Sequence, residues 1–414
     1  MRGLTIWRKL LGVEQVQVLD VTLQEEAGRS ELVISVRPTK GARGWCGQCG
    51  RRCPGYDQGG GPRRWRALDH GSTMVFVQAA APRVTCRRHG VVVASVPWAR
   101  PGARATRAFE DQCAWLAART AKTVVGELMR TSWRHVTAII ERVVADGLAG
   151  RDVLAGLTRI GIDEISHRKG HRYLTCVVDQ VSGRLVWAAP GRNSETLHRF
   201  FDELGPDRCE ALTHVSADGA QWIHDTVTAR APQAVLGLDP FHVVGWATRE
   251  LDNVRRQTWN TLRGNDHGGA ATSVKGSRWA LLKNPGDLTP EQRGSVASIA
   301  KTNERLYRAY LLKEQLRAVF QVKGQTGREL LAGWIAWARR SQIPEFIALA
   351  KTLKRFQQLI WNTLIHSMSN AQSEATNMHL RALTRRAYGF HSPEALIAMA
   401  MLTRGGLCPP LPGR

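Results

Sequence analysis

Periodicity and punctuation make this 414-residue chain a multidomain α/β protein. Two short Cys/His pairs sit inside an Arg-rich N-terminal stretch of β-like runs. Strand-like and helix-like segments then alternate from residue 157 to 242, and residues 243–365 are almost entirely helical in pattern. The length allows several domains, and 43% apolar content is ordinary for globular ones. The charge narrows the class. Lys plus Arg number 58 against 35 acids, a formal +23. A surface that basic repels itself unless a polyanion neutralises it, so the expected partner is DNA or RNA. No apolar run approaches the ~20 residues that span a bilayer. The start, MRGLTIWRKLLGVEQVQ, is basic but lacks an apolar core and cleavage site. A cytoplasmic location without membrane attachment is therefore expected, and there the eight cysteines read as metal ligands or buried thiols rather than disulfides.

Residues 1–100 hold the β-like runs VQVLDVTLQ, ELVISVRP, TMVFVQAAAPRVTC and VVVASVPWA, broken by Gly, Pro and Arg. Cys46 and Cys49 form one knuckle (WCGQCG), and Cys86 and His89 a second (CRRHG). Two such pairs can place four ligands around one structural Zn²⁺. A small Arg-rich module with little apolar content needs such a staple. Cys53 competes for a ligand position, and the alternative is that the three thiols are reduced and, with the imidazole, unliganded. Between the knuckles, Arg63, Arg64 and Arg66 flank Trp65. Arginines beside an aromatic suit phosphate contact and stacking; a solvated loop is equally compatible.

Residues 101–150 are helical in pattern. In TAKTVVGELMRTSWRHVTAIIERVV, Val124, Val125, Leu128 and Met129 form one apolar stripe. Thr131 and Ser132 offer an N-cap, and Trp133, Val136, Ile139, Ile140 and Val143 form a second stripe. Two short helices joined by a tight turn match a helix-turn-helix, with Arg130, Arg134, His135 and Thr137 near the helix that would enter the major groove. Any helical hairpin shares the pattern.

From 157 the order is strand (LTRIGIDEIS), strand (RYLTCVVD), strand (RLVWAAP), helix (SETLHRFFDEL), strand (ALTHVSAD), helix (AQWIHDTVTARA), strand (AVLGLD). That is the order of a ribonuclease-H-like catalytic domain, in which the first and fourth strands are central neighbours. Asp163 lies on the first and Asp218 ends the fourth, so both carboxylates project at one place. Acids that close repel unless cations neutralise them. Two Mg²⁺ (or Mn²⁺) ions bridged by such a pair form a clamp for in-line attack on a phosphodiester. Asp163 sits among Ile160, Ile162 and Ile165 beside a glycine, and Gly219 follows Asp218 at a strand-to-helix turn, which sets both apart from solvated surface acids. The candidate third ligand is Glu374 in SNAQSEATNMHLRALTRRAYGF, on a helix that Ser369 or Asn370 can cap. Residues 366–405 would then complete the core begun at 157–242, with the large helical insertion 243–365 between the parts. The insertion carries a Gly-rich interruption, GNDHGGAATSVKGSR.

These residues resemble the ISL-three family of insertion-sequence transposases, a branch of the DDE superfamily. The matching stretches run in order: the two knuckles, VPWARPGARATRAFE, GIDEISHRKGHRYLTCVVDQVSGRLVWAAPGR, SADGAQWI, LDPFHVV, GSRWALLKN, SNAQSEATN and RRAYGF. The resemblance implies a zinc-binding domain, a helix-turn-helix, and a catalytic domain whose last acid follows a large helical insertion. Carried over by position, Asp163, Asp218 and Glu374 are the triad. Asp239 and His242 match a D-x2-H pattern of related transposases, which makes Asp239 a rival second acid; His242 would orient a phosphate, assist the leaving group, or be a structural histidine. This chain departs from the family at His89, where Cys is usual, and at Ala375, where Gly is frequent.

The function so implied is a transposase that binds the terminal inverted repeats of its element as a homodimer on double-stranded DNA, cuts there, and joins 3′ ends to target DNA. The alternative is a non-catalytic, sequence-specific DNA-binding regulator derived from a transposase. A zinc-containing RNA-binding protein leaves the carboxylates unexplained.

Overall fold

The computed structural model describes residues 2–26, 29–168, 170–264 and 268–413. The chain gathers into two compact units, Leu154–Arg381 and one formed by Met1–Val153 with Ala382–Arg414.

The first unit opens with a helix that the β-like reading of residues 1–100 missed. In α1 (Arg2–Leu11), Leu4, Trp7 and Leu11 recur at helical spacing and pack on the adjacent apolar core. Strands β1 (Val16–Glu26), β2 (Arg29–Pro38), β3 (Gly55–Asp57), β4 (Pro62–Arg66), β5 (Met74–Ala80), β6 (Arg83–Cys86) and β7 (Gly90–Val93) form two sheets, ordered β1-β2-β5-β4 and β3-β6-β7. Alternation along β5 sends Val75, Val77 and Ala79 inward, onto Ile34, Trp65 and Trp98. The Arg63–Arg66 stretch is thus edge strand β4, not a solvated loop.

Three helices follow: α2 (Arg107–Ala117), α3 (Lys122–Leu128) and α4 (Trp133–Gly150). Ser132 caps α4 by accepting the His135 backbone N–H. The stripe of α4 is buried at Val136, Ile139, Ile140 and Val143, as its spacing predicts. That of α3 is narrower than predicted. Val125 and Met129 are buried, whereas Val124 and Leu128 face outward.

The second unit is built on a five-stranded sheet. Its strands are β8 (Arg159–Arg168), β9 (Arg172–Asp179), β10 (Leu185–Pro190), β11 (His214–Ala217) and β12 (Val235–Leu238), ordered β10-β9-β8-β11-β12. β8, β9 and β10 form an antiparallel meander; β11 runs parallel to β8, and β12 parallel to β11. The first and fourth strands are therefore neighbours at the centre, with Ser216 opposite Gly161. Helices α5 (Ser194–Leu204), α6 (Pro206–Ala211) and α7 (Gln221–Arg230) complete the crossovers. Asn193 caps α5, whose Leu197, Phe200, Phe201 and Leu204 are buried at i, i+3, i+4, i+7 spacing.

Between β12 and the next sheet-covering helix lie α8 (Pro240–Gly264), α9 (Gly268–Gly276), α10 (Arg278–Leu282), α11 (Pro290–Thr302), α12 (Glu304–Val319), α13 (Gly324–Arg339), α14 (Pro344–Arg355) and α15 (Gln357–Ile365). They enclose a core around Leu251, Leu312, Leu331, Trp334 and Phe346. Buried Lys313 donates to the carbonyls of Leu281 and Lys283, at 2.8 and 3.3 Å, satisfying the end of α10. Of the Gly-rich interruption, residues 265–267 lie outside the described residues, and the stretch that follows is helical despite its glycines. Next come α16 (Ala371–Arg386), and α17 (Pro393–Arg404), which packs on α4. Residues 382–405 thus group with the first unit, so the segment expected to complete the core contributes to the second unit only as far as Arg381. No helix among the described residues is long and apolar enough to cross a membrane.

The tightest polar knot in the first unit is Glu110 of α2, fully buried, which accepts from Arg142 of α4 at 2.8 and 2.6 Å and from Arg100 at 3.4 Å. Removing one member of a buried pair strands the other charge. Glu110→Ala should therefore cost about 3–5 kcal/mol, read as lost hydrogen-exchange protection in α2 and α4 with amides of 154–381 unchanged. Protection within error of the wild type would show that the pair is replaceable by water.

Candidate active site

Alternation along β8 puts Gly161, Asp163 and Ile165 on one face and Ile160, Ile162 and Glu164 on the other. Helix α16 lies against the first face and turns a polar stripe toward it: Asn370, just ahead of the helix, then Ser373, Glu374 and Asn377, at i, i+3, i+4 and i+7. Asn370, Ser373 and Asn377 are all buried. A Cβ on Gly161 would lie 1.9 Å from Gln180 Nε2 and 2.4 Å from Ser373 Oγ, so only glycine permits this approach. The Asn370 side-chain oxygen accepts from Ser216 Oγ at 2.9 Å and Gln180 Nε2 at 3.1 Å, while Ser369 Oγ accepts the Ala371 N–H at 3.2 Å. Ser369, not the Asn370 side chain, is the local cap.

The carboxylates sit where this packing leaves room. Asp163 is buried; its Oδ2 accepts from Asn377 Nδ2 at 2.7 Å and its Oδ1 from the Glu164 N–H at 2.8 Å. Burial pushes its pKa up to about 6 against the opposing pull of nearby His242, and the negative charges of Asp239 and Asp218 add to the rise. Half-buried Asp218 follows β11; its Oδ1 accepts the Ala220 N–H at 2.9 Å. Gly219 beside it would bring a Cβ within 2.9 Å of the Trp246 ring. Glu374, half-buried, stands one helical turn before Asn377 and has Arg381 at 4.0 Å.

Asp239 is differently employed. Its Oδ2 accepts from His242 Nδ1 at 2.8 Å and Asn370 Nδ2 at 3.4 Å, and its Oδ1 from the Phe241 N–H at 3.0 Å. Both oxygens are occupied by protein. The Asp239 hydrogen bond lifts His242 to about 9 against burial, and Asp163 and Asp218 lift it further. At neutral pH His242 is thus a cation facing the acids. Sequence reasoning overlooked Glu164, whose pKa burial and Asp218 push up to about 7 against the pull of Arg192, and it overlooked Asn377. The signals were present: a second acid in an apolar strand, and Asn, Ser and Asn at helical spacing.

Asp218 and Asp239, both within electrostatic reach of Asp163, offer with it the oxygen donors that a hard divalent cation prefers. Asn377 Oδ1, buried and, among the described residues, without a hydrogen-bond partner, is a further oxygen of that kind beside Asp163. In the first unit the fit to zinc is geometric. The ligand atoms of Cys46, Cys49, Cys86 and His89 all lie within 4.8 Å of one another, with Cys46–His89 and Cys86–His89 at 3.6 Å and Cys49–Cys86 at 3.7 Å. A tetrahedron with Zn–S of about 2.3 Å and Zn–N of about 2.0 Å has edges near these lengths. The Arg88 backbone N–H leads in drawing Cys86 down to about 6, against burial. Cys53 lies outside the four-atom set and donates to the Arg51 carbonyl at 3.4 Å.

The residues expected to meet DNA divide. Arg66 is buried, paired with Asp69, bonded to the carbonyls of Ala67 and Val75, and placed over the Phe76 and Phe109 rings. Arg130 pairs with Asp69 and donates to Ser72 O at 2.9 Å. Burial corrects the reading of Arg66 as a phosphate contact, whereas the Arg130 side chain stays 41% exposed beside its partner. Thr137 donates to Trp133 O and accepts from Lys122, and His135 Nδ1 lies 2.8 Å from Thr131 Oγ1. Arg134 is exposed beside Trp133 at the start of α4. Arg63 and Arg64 are exposed and, with Arg104 and Gln48, line a groove of about 720 Å³.

Three family models match the chain: one described as a transposase, of the DDE type, over residues 160–400; the helix-turn-helix domain of transposase family ISL3 over 94–144; and the zinc-finger of transposase IS204/IS1001/IS1096/IS1165 over 42–89. The chain belongs to the ISL3 family of insertion-sequence transposases, enzymes of the DDE type. It is 51% identical, over 100% of its length and 98% of the relative's, to the transposase for insertion sequence element IS1557 of Mycobacterium tuberculosis. To the transposase for insertion sequence element IS1001 of Bordetella parapertussis it is 28% identical, over 92% of each chain. Family membership brings divalent-metal chemistry and DNA binding with it.

Four converging ligands predict about one Zn²⁺ per chain. Cys49→Ser should release it and unfold the zinc module, measured by elemental analysis and by proteolysis of residues 42–89, while 154–381 stays protected. Freshly purified protein without zinc would refute the site.

Proposed function

We propose that the chain binds the terminal inverted repeats of its own element, cuts the DNA there, and joins the 3′ ends to target DNA. In this reading Leu154–Arg381 is a ribonuclease-H-like catalytic domain interrupted by the helical segment 243–365, and Asp163, Asp218 and Glu374 are its triad. The observation that supports it is Asp163 on central strand β8 with Asp218 just past its parallel neighbour β11 and within electrostatic reach, and α16, which carries Glu374, bonded to Asp163 through Asn377.

Asp218 is favoured over Asp239 as the second acid because it follows β11, the parallel neighbour of the strand that carries Asp163, whereas Asp239 follows edge strand β12 and is engaged by His242 and Asn370. Two Mg²⁺ (or Mn²⁺) ions held by the triad would activate the attacking oxygen and steady the leaving one. The chain's own contributions are positional. Asn377 fixes the Asp163 carboxylate, and Asn370 ties Asp239 to the β11 side of the sheet. Asp239 orients His242, so that its Nε2 is left to donate to a phosphate oxygen.

Zinc-module residues Arg63 and Arg64 would meet phosphates, and Arg134 at the N-terminus of α4 would reach base edges. Because both ends of an element are cut together, the working form on DNA is a homodimer. The 20 Lys/Arg against 9 acids of residues 243–365 suit a clamp over the bound duplex.

Asp163→Ala, Asp218→Ala and Glu374→Ala should each abolish cutting and joining of a labelled end-repeat duplex in Mg²⁺ and Mn²⁺. Gel-shift affinity should hold or rise, since each change removes an acid near phosphate. Asp239→Asn should retain measurable cleavage in Mn²⁺. A dead Asp239 variant beside an active Asp218 variant would reverse the assignment of the second acid. Binding should also fall steeply with salt, with a log–log slope of several units. Arg134→Ala should cost the cognate repeat more than random duplex, and equal losses would remove α4 from base readout.

A further inference from the structure

Arg192, in the turn between β10 and α5, is unused by the mechanism above. From there its guanidinium lies over the Tyr173 ring of β9, 4.8 Å from the centroid, and its Nε donates to Glu164 Oε1 of β8 at 3.1 Å. The pair is lopsided: the Glu164 side chain is 4% exposed and that of Arg192 is 45% exposed. Among the described residues, Nη1 and Nη2 of Arg192 make no hydrogen bond. Asp218 is within electrostatic reach of both partners.

An arginine loose beside a cluster of acids would fold onto them and neutralise the nearest. Glu164 and Tyr173 prevent that by gripping the Nε and the flat face of the guanidinium. The rest of the side chain is left 45% exposed, with Asp218 within electrostatic reach. A planar fork with two parallel N–H donors matches the oxygens of a phosphate. The basic surface continues outward along the β8–β9 hairpin, where Arg168, His171 and Arg172 are exposed and no acid occurs between Glu164 and Asp179.

The geometry points to Arg192 as the residue that grips the DNA phosphate neighbouring the one being cut, with Glu164 and Tyr173 as its positioning residues. The inference rests on the carboxylate cluster being the cleavage site. Glu164 is here a holder of Arg192 rather than a fourth acid of the cluster, which accounts for a buried carboxylate on the face of β8 opposite Asp163.

The test uses the full-length protein and a duplex carrying the terminal repeat read from the DNA flanking the gene, made with single neutral methylphosphonate links at each position around the cut. Arg192→Ala should cut about 10- to 100-fold more slowly, the worth of a charge-assisted hydrogen bond to phosphate, with duplex binding in gel shift little changed. One methylphosphonate beside the cut should slow the wild type by a similar factor and add nothing to Arg192→Ala. Since Arg192→Ala leaves Glu164 buried and unpaired, the double variant Arg192→Ala/Glu164→Gln removes that structural cost, and it should stay as slow as Arg192→Ala. Recovery of the double variant toward wild-type rate would overturn the inference, because Arg192 would then serve only to neutralise Glu164. A methylphosphonate effect equally large in wild type and Arg192→Ala at every position would overturn it too. Wild-type cutting by Asp163→Ala, run in parallel, would instead overturn the reading of the carboxylate site on which the inference rests.

Discussion

The centre of the second unit is organised around one costly group: Asp163, buried on central strand β8, where burial and the negative charges of Asp239 and Asp218 oppose its ionisation. A chain folding only for stability would place leucine there. Instead, a glycine clears space for a helix, and that helix spends four polar positions on the sheet. An imidazolium, His242, is stationed among the acids by Asp239. The hydrogen bonds of Asn377, Asn370, Ser216 and Gln180 fix carboxylates and amides in one arrangement, which a hydrophobic contact could not do.

The two candidate metal sites use opposite logics. The zinc ligands sit on two short knuckles whose backbone amides already point at the sulfurs, so the site is local, and its spacing was legible in the sequence. The carboxylate site is assembled from residues 55 and 156 positions apart in sequence (218 − 163 and 374 − 218). Only the strand order could bring the first two together, and that order was readable because three strands, a helix, a strand, a helix and a strand leave few right-handed arrangements. Glu374, the proposed third acid, had no such route. Its helix is recognisable by the polar Asn370, Ser373 and Asn377, but amphipathic reasoning takes polar positions to face water. The stripe became interpretable only with β8 beneath it.

The same limit explains the errors in the first unit. A net charge of +23 indicates nucleic acid correctly as a sum, yet it says nothing about which arginines are available. Arg66 and Arg130 share Asp69, and Arg100 serves Glu110, Asp111 and Asp146. These arginines act as internal ties, each extending a small core with long stems and a paired head. From sequence, Arg66 beside Trp65 looks like a stacking platform. Strand alternation cannot bury both neighbours on one face, and it is the Phe76 and Phe109 rings that take the guanidinium in. Helix α1 was missed although Leu4, Trp7 and Leu11 recur at helical spacing, because its ten residues were read together with the longer β-like runs that follow.

The carboxylate site also shows what activity costs in stability. Folding raises the Asp163 pKa from its ordinary value near 3.8 to about 6. Between those values the folded chain holds a proton that the unfolded chain has released, so stability from this group is fully present at low pH and is lost as pH rises through about 6. At neutral pH the charged Asp163 therefore works against the fold. His242 offsets part of that strain, since its own pKa is raised by the same acids and it remains protonated where they are charged. A divalent cation would offset more, because its charge is larger and all of the surrounding donors are oxygens. The apo site is in this sense a half-neutralised cage. Its cations are each held in place by protein: His242 by Asp239, Arg192 by Glu164, while Arg381 lies 4.0 Å from Glu374.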